Sequence, residues 1–402
     1  MSLSDALQAK LSRLQRGFFS VGILALLLGA FLGLRSSDAS AQFMHSYLFA
    51  YIYWIGFPLG AMALLMTHHL SGGWWGRPLQ RPFEAASRTI VLMALLVIPI
   101  LLKIHTLYSA WATPGALVDD TVGHFKFIYL QPHAFVIRAI IYFALLILFV
   151  AGLCGWSREL DRTGNPALQE RMRAFSGPML VFWSFILTLA MVDWVMSLEP
   201  HWFSTIYGML FIVIDCLAAL AGVIFLLTWL WDEEPIKGSM TEKRLIDLGS
   251  LMLAFVMLWA YLSFDQFLII WAGNLKDEIP WYMTRAFGPW GVIAAMLIAL
   301  HFFVPFFLLL FRGVKRRIAR LSKVALWILA LTVVDIYWLV CPSFRTSAGA
   351  PVGPGIHLSD ILAFIGIGGL WLGAFIWQLR RAPLLPLHDP RFEGVLLHEH
   401  GD

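Results

Sequence analysis

Charged residues are scarce in this sequence, and their scarcity excludes a soluble fold. Asp, Glu, Lys and Arg together make up 13% of the 402 residues, whereas hydrophobic residues make up 59%, and the mean hydropathy is +0.75. A soluble domain of this length could not cover its surface with so few charges. Lipid is therefore expected to solvate the exterior of the protein.

Cysteine and deeply placed histidine are also rare, which argues against metal cofactors. Cys154, Cys216 and Cys341 are far apart and form no CxxC or CxxCH motif, so haem c, iron–sulfur and structural zinc sites are not expected. Of twelve histidines, only His301 lies deep in an apolar segment. Because a membrane haem b or a copper–haem core needs paired histidines on facing helices, neither is expected within this chain.

What the sequence does contain is a series of long apolar segments. About 20 such residues suffice to cross the roughly 30 Å hydrocarbon layer of a bilayer. Ten segments meet this requirement, at 17–34, 47–67, 85–104, 134–155, 175–197, 205–231, 245–271, 289–311, 324–341 and 357–379. The sequence therefore predicts an all-α polytopic membrane protein with about ten transmembrane helices.

Residues 1–16, ahead of the first span, are predicted to form a short interfacial helix. Leu3, Leu7, Leu11 and Leu14 fall on one helical face, with the basic residues elsewhere. The stretch that follows resembles a secretory signal ending at Ala39-Ser40-Ala41. Because its apolar part is long for a signal, we expect it to be a real helix.

Basic residues predict the orientation of the chain in the membrane. The side that both termini share carries 22 of the 29 Lys and Arg residues. The other side carries seven, namely Arg35, Lys103, Lys126, Arg138, Lys276, Arg285 and Arg345. By the positive-inside rule both termini should face the cytoplasm, and the pI near 9.0 reflects these loops rather than nucleic-acid binding.

An internal repeat divides the chain. Residues 186–193 (ILTLAMVD) match residues 328–335 (ILALTVVD) at an offset of 142, and each copy is followed by a proline, Pro200 or Pro342. Helices two to five would then match helices six to nine as parallel repeats. The expected division is an interfacial helix (1–16), flanking helix 1 with its loop (17–46), two four-helix bundles (47–197 and 198–341), a loop with flanking helix 10 (342–379) and a cytoplasmic tail (380–402).

The two flanking helices carry small-residue motifs. Gly29-x-x-x-Gly33 lies in helix 1 and Gly369-x-x-x-Gly373 in helix 10. Such motifs permit close packing on another helix, which makes a contact with another subunit one of the options here.

Ionisable residues inside the expected spans point to function. An ionised side chain at the bilayer centre costs about 2.5–3.5 kcal/mol, so such residues normally face a protein interior or a water-filled path. The spans contain five, namely Asp193, Asp215, Asp265, His301 and Asp335. Groups that take and release protons are what a proton half-channel or a quinol-deprotonation site requires, so these five are the predicted proton path.

Further polar residues lie near the outer helix ends, at Lys103, His105, Arg138, Glu199, His201, Glu278 and Asp360. They leave a structural interpretation open. Asp193 and Asp335 could pair with Arg138 or Lys103 purely for stability, and His301 could be a packed histidine that donates to a carbonyl.

Several segments resemble a known family. They are Asp193–Gly208 (DWVMSLEPHWFSTIYG), Lys126–Leu130 with Arg138, Phe264–Trp271 followed by Gly273-Asn274-Leu275, His301–Pro305, and the tail around His388–Arg391. The chain resembles the NrfD-like (polysulfide-reductase-type) membrane subunits of bacterial alternative complex III. Its length and its helix-seven segment are similar to the ActF-type subunit.

The resemblance implies a subunit, without cofactors of its own, of a quinol:cytochrome c or oxidase-linked oxidoreductase in the bacterial inner membrane. Haems and iron–sulfur clusters would reside only in partners: an NrfD-like paralogue, an iron–sulfur subunit, cytochrome c subunits and in some assemblies a terminal oxidase. This chain would supply a proton path, with a quinone pocket and structural lipids as further options. Asp193, Asp265, His301 and Asp335 carry over as proton candidates, and Asp215 joins them from its depth alone.

Two alternatives stay open at the level of sequence. One is an NrfD-like anchor that binds quinol in another redox complex. The other is a proton-coupled secondary transporter, because parallel repeats and buried carboxylates also suit alternating access.

Overall fold

The part of the chain that the structure describes contains ten long helices, as the sequence predicted. The structure, a computed structural model, describes residues 4–113, 128–233, 236–345 and 352–386, and within these ranges it is helical with no β-sheet. The ten helices long and apolar enough to span a membrane are α1 (Asp5–Gly33), α2 (Ser37–Ser71), α3 (Trp75–Leu102), α4 (Pro132–Thr163), α5 (Ala167–Trp194), α6 (Tyr207–Leu230), α7 (Glu242–Gly273), α8 (Gly288–Leu310), α9 (Ile318–Val340) and α10 (Leu358–Leu379).

The N-terminal helix is longer than expected. The Ser4 side chain caps α1 by accepting from the backbone N–H of Leu7, and the helix then runs without a break to Gly33. The segment 1–16, expected as a separate interfacial helix, is therefore continuous with the first span from Asp5 onward. No helix breaker separates the two parts, because neither proline nor a run of glycines occurs there.

The third span is irregular and starts earlier than the expected residue 85. A 3-10 helix at Trp74–Leu79 leads into Gln80–Arg88, and three further helical pieces follow it as far as Leu107. Pro78, Pro82 and Pro99 each remove a backbone donor from this stretch, and the break at Val97 lies two residues before Pro99. Residues 80–84, which lie before the expected start of this span, are helical and buried.

Helix α8 contains a π-helical turn at Leu297–Phe303. Pro305 follows it directly and cannot donate to the carbonyl of His301 four residues earlier, so the regular hydrogen-bond ladder is interrupted there. Such turns are frequent at functional sites, and this one carries a buried histidine.

Helices α2 and α6 form the centre of the molecule. They pack on each other, and each also contacts α5 and α9. Helix α4 packs on α5 and the pieces of α3. On the opposite side, α7 packs on α6 and α8, and α8 packs on α9. Helices α1 and α10 pack tightly together and contact the rest mainly through α2.

Glycines allow α1 and α10 to approach closely. A Cβ at Gly369 would lie 2.7 Å from the Cα of Gly22 and 2.7 Å from the carbonyl oxygen of Phe18. Gly373 lies against the ring of Phe19, and a side chain at Gly29 would overlap the ring of Phe43 on α2. Both small-residue motifs are therefore used inside the chain, which accounts for them without a contact to another subunit.

Candidate functional site

Asp193, near the end of α5, is held by a cation. Arg138 on α4 donates to both of its carboxylate oxygens at 2.8 and 2.9 Å, and Tyr142 donates its hydroxyl at 2.8 Å. The Asp193 side chain is 1% exposed. A bidentate guanidinium with a third donor stabilises the ionised carboxylate strongly, so this group is poorly suited to carrying a proton.

Tyr129, which precedes α4 in the chain, contacts the Arg138 side of this ion pair. The Arg138 guanidinium lies 3.8 Å from the centre of the Tyr129 ring and donates to the Tyr129 carbonyl at 2.9 Å. Burial, and then the negative charge of Asp193, raise the pKa of Tyr129 to about 12. The phenol is therefore neutral at physiological pH, and the surroundings of Asp193 hold one positive and one negative charge.

Asp335, the repeat-related acid on α9, has a different environment. Trp259 of α7 donates its indole N–H to the carboxyl group at 2.9 Å. No cation pairs with Asp335 among the residues that the structure describes. The Asp335 carboxyl group therefore lacks the cation that holds Asp193 in a bidentate ion pair.

His301 lies against the other side of the same tryptophan. Its ring is 4.5 Å from the Trp259 ring, with the planes at 33°. The Leu331 backbone is close enough to interact with the ring, although neither ring nitrogen has a hydrogen bond of good geometry in the described part of the chain. A buried imidazole that faces one backbone carbonyl still has a second ring nitrogen that can accept a proton or a water molecule.

A cavity of about 630 Å³ opens beside Asp335. Helices α7, α8 and α9 enclose it together with Leu210 of α6 and the short helix Ile279–Ala286. Its walls are almost entirely apolar, and the polar side chains that reach it are those of Ser263, Gln266, Tyr282 and Asp335. Its volume lies within the range of about 300–1,000 Å³ that is typical of small-molecule sites.

Polar residues continue from this cavity toward the Glu199 end of the bundle. Tyr207 lies close enough to Asp335, Glu199 and Arg285 to interact electrostatically with each. Arg285 is fully buried and pairs with Glu199 at 2.8 Å. It also donates to Ser343, which in turn donates to Glu199 at 2.7 Å. The buried acid is thus linked to one end of the helices by polar groups.

The opposite side of Asp335 is apolar. Toward the Lys315 end, α7 contributes Met252 and Val256 and α9 contributes Ala325 and Ile328, and all four are fully buried. The polar groups that do occur on this side are bound to backbone carbonyls: the Thr332 hydroxyl donates to Ile328 at 2.9 Å and the Tyr53 hydroxyl donates to Leu329 at 3.4 Å. The next charged side chain is Lys315, which donates to Ser250 at 3.1 Å. The charged groups nearest to Asp335 therefore lie toward the Glu199 end.

Asp215 is buried separately, where α2 crosses α6. Its carboxyl oxygen Oδ1 would lie 2.5 Å from a Cβ at Gly56, and a side chain at Gly60 would overlap its backbone carbonyl. Its second oxygen has no hydrogen-bond partner within the described ranges. Two glycines therefore make room for this acid, which is not among the residues that line the cavity beside Asp335.

The remaining expected residues do not form one cluster. Asp265 is half-buried on α7 and is not part of the cavity wall. Lys103, His105 and His201 are exposed, whereas Glu278 is buried. Asp360 accepts from Ser46 at 2.6 Å and caps α10. Only Arg138 and Glu199 belong to the two buried ion pairs described above.

Sequence reasoning missed a further buried ionic group between α3 and α4. Glu84 accepts from Arg81 at 2.7 Å and from Ser157 at 2.6 Å, and Arg81 also pairs with Asp161. Arg88 lies 3.8 Å from Glu84. Every charge here has a partner, which suits a structural link between the two helices. The signal that could have revealed it was the alternation of charges at 81, 84 and 88, one helical turn apart.

Arg285 was counted only as a basic residue of an outer loop. Its spacing after Trp281 places the guanidinium on that ring at 4.0 Å, and its complete burial depends on packing that the sequence does not show.

Comparison with family models and with curated proteins gives no match to this chain. The segments at 193–208, 264–271 and 301–305 contribute residues to the arrangement around Asp193, Glu199 and the cavity. Lys126 and the tail segment His388–Arg391 lie outside the described residues.

Proposed function

We propose that this protein is an integral membrane subunit of a bacterial quinol:electron-acceptor oxidoreductase of the alternative complex III type, and that it moves protons through α7, α8 and α9. The observation that carries the proton role is the environment of Asp335. Its carboxyl group is buried beside a cavity, has one indole donor and no pairing cation within the described residues, and shares the Trp259 side chain with the buried His301.

The contrast between the two repeat-related acids supports this assignment. Asp193 is bound by Arg138 and Tyr142, whereas Asp335 has only Trp259. A proton carrier must be able to lose and regain its proton during turnover, and a bidentate ion pair opposes the gain. One repeat then provides a rigid structural link, and the other provides the working acid.

The proposed path is a half-channel from the outer face. Protons exchange between Asp335 and that face through water that passes Tyr207, and the Arg285–Glu199 ion pair marks the outer end of this path without carrying protons itself. The apolar layer formed by Met252, Val256 and their neighbours blocks the cytoplasmic side. His301 lies on α8, on the far side of Trp259 from Asp335. Protons that cross the apolar layer would pass transiently through this imidazole.

The assembly and the orientation of the chain belong to the same proposal. Both termini would be cytoplasmic in the bacterial inner membrane, and the electron-carrying centres would be in partner subunits. Mild-detergent purification of the tagged full-length chain, followed by mass spectrometry of its partners, tests this directly. An iron–sulfur subunit together with multihaem cytochromes c is the expected result, and purification of the chain alone would contradict it.

A second candidate function is quinol binding in the same cavity, as in an anchor subunit of another redox complex. The observation that favours it is the combination of about 630 Å³ of apolar space with the indole N–H and carboxyl group at its wall. A quinol needs apolar walls for its ring and a nearby proton acceptor for its hydroxyl group. Photo-crosslinking with an azido-quinone would label α7 or α8 in that case, and labelling confined to partner subunits would exclude it.

A further inference from the structure

A second large space lies between the flanking helices and the rest of the protein. It has a volume of about 470 Å³ and runs between α1 and α10 on one side and α6 and α9 on the other, with α2 at its floor. Helices α1 and α10 pack closely on each other and on α2, but they do not pack against α6 or α9 in the same way. The groove is therefore a gap in the packing between α1/α10 and α6/α9.

The walls of this groove offer only hydrocarbon. Tyr53 uses its hydroxyl to donate to the Leu329 carbonyl at 3.4 Å, and the indole of Trp54 donates to the Phe364 carbonyl at 3.0 Å. No unsatisfied buried side-chain polar atom among the described residues belongs to the groove wall other than the indole nitrogen of Trp371. A ligand with several polar atoms along its length would lose hydrogen bonds here, whereas an alkyl chain would not.

The length of the groove matches one leaflet of a bilayer. On α6 its wall runs from Ala219 to Leu230, which is about 16 Å at 1.5 Å per residue. Half of the hydrocarbon core is about 15 Å. The wall begins at the Leu230 end of α6 and the Leu379 end of α10. It stops near the middle of α6 and continues along α10 to Phe364, about 22 Å, so a chain that enters from one membrane face would fill it.

A cation stands at the mouth of the groove. Lys10 on α1 lines this end, and its ammonium group lies 5.3 Å from the ring centre of Trp229. Lys10 is exposed and has no ion pair within the described ranges, although Glu233 nearby accepts from Ser4 at 3.3 Å. A lysine beside a half-exposed tryptophan at a membrane interface is well placed to contact a lipid phosphate.

We propose that this groove is a binding site for one anionic phospholipid, whose acyl chain fills the space between α1/α10 and α6/α9 and whose phosphate contacts Lys10. The lipid would complete the packing that the protein alone leaves open, and so attach the flanking pair to the second repeat. This site is independent of the proton role of Asp335.

The test uses the full-length chain in its native assembly, purified in mild detergent and exchanged into phosphatidylglycerol or phosphatidylcholine nanodiscs. Lipid retained after detergent washing is quantified by native mass spectrometry. The wild type is expected to retain one phosphatidylglycerol in preference to phosphatidylcholine. Lys10→Gln should lower that preference about fivefold, because one lysine near a lipid surface contributes about 1 kcal/mol. Arg13→Gln, on an exposed neighbour outside the groove, is the matched control and should leave it unchanged.

A second variant tests the acyl-chain half of the proposal. Ala330→Trp, on the exposed wall of the groove, should fill it and abolish retention, whereas Ala30→Trp on the lipid-facing side of α1 should not. Equal retention by both tryptophan variants would overturn the proposal. So would a wild type that retains phosphatidylglycerol and phosphatidylcholine equally, or one that retains an isoprenoid quinone in place of phospholipid.

Discussion

Trp259 and Asp335 lie on different helices, and the indole N–H of the first donates to the carboxyl group of the second at 2.9 Å. The ring of the same indole lies 4.5 Å from the His301 ring, so one side chain contacts both Asp335 and His301. Because a tryptophan donates but cannot accept, it orients the carboxyl group without neutralising it. Asp335 differs in this respect from Asp193, whose two carboxylate oxygens both accept from Arg138.

A hydrophobic carbodiimide should distinguish the two acids. Such reagents modify protonated carboxyl groups in apolar sites, and a buried carboxyl group without a cation is favoured in its neutral form. Treatment of the purified assembly should label Asp335 and leave Asp193 unmodified, as read by peptide mass spectrometry. Labelling of Asp193 in preference to Asp335 would contradict the assignment of the two environments.

Trp259→Phe should slow proton-coupled turnover while preserving the fold. It keeps an aromatic ring against His301 but removes the only hydrogen-bond donor to Asp335 among the described residues. A hydrogen bond contributes about 0.5–1.5 kcal/mol, so turnover should fall by up to about tenfold. The control is Trp327→Phe, whose indole donates to the Leu300 carbonyl at 2.9 Å and does not line the cavity. Equal rates in the two variants would show that the Trp259 donor is dispensable.

The buried ion pair between Arg285 and Glu199 should matter far more for stability than a surface pair. Arg285→Gln leaves the Glu199 carboxylate without its cation, and breaking a buried pair costs about 3–5 kcal/mol. Arg316→Gln removes a comparable 2.8 Å contact to Glu242, but both side chains are at least half exposed, so the expected cost is about 1 kcal/mol or less. Thermal unfolding in detergent measures both, and similar midpoints for the two variants would refute the structural role of Arg285.

The contact between α1 and α10 should depend on Gly369. In Gly369→Ala the new methyl group meets the Gly22 backbone at 2.7 Å, and overpacking of this kind costs about 1–3 kcal/mol. Gly17→Ala is the control, because nothing lies within 4 Å of its added Cβ. Disulfide crosslinking between cysteines introduced into α1 and α10 should weaken in the first variant only. Unchanged crosslinking in Gly369→Ala would mean that the two helices are not packed as described.

Hydropathy was enough to predict the number of helices and the burial of most of the acids. Ten segments of sufficient length became ten helices, and Asp193, Asp215, His301 and Asp335 are all buried. These features follow from the cost of placing polar groups in lipid, which depends on residue type and position along the chain. The continuous course of α1 and the early start of α3 were missed, because sequence patterns define helix ends poorly.

The pairing of the buried groups could not be predicted in the same way. The repeat gives Asp193 and Asp335 the same local sequence, yet only Asp193 meets a guanidinium. Which side chains face each other depends on the rotation of each helix about its own axis, and that rotation is set by packing with its neighbours. For the same reason, Asp265 looked like its buried counterparts in sequence but lies half-exposed and outside the cavity wall.

The proton role of Asp335 is tested most directly by the ratio of protons released to electrons transferred. The measurement uses the assembled complex reconstituted in sealed vesicles, with Asp335→Asn compared to Asp193→Asn and to Asp277→Asn, which changes an exposed acid. We expect the ratio of protons to electrons to fall in Asp335→Asn. Complexes that assemble with Asp193→Asn, and those with Asp277→Asn, should keep the wild-type ratio. A wild-type ratio in Asp335→Asn would contradict the account.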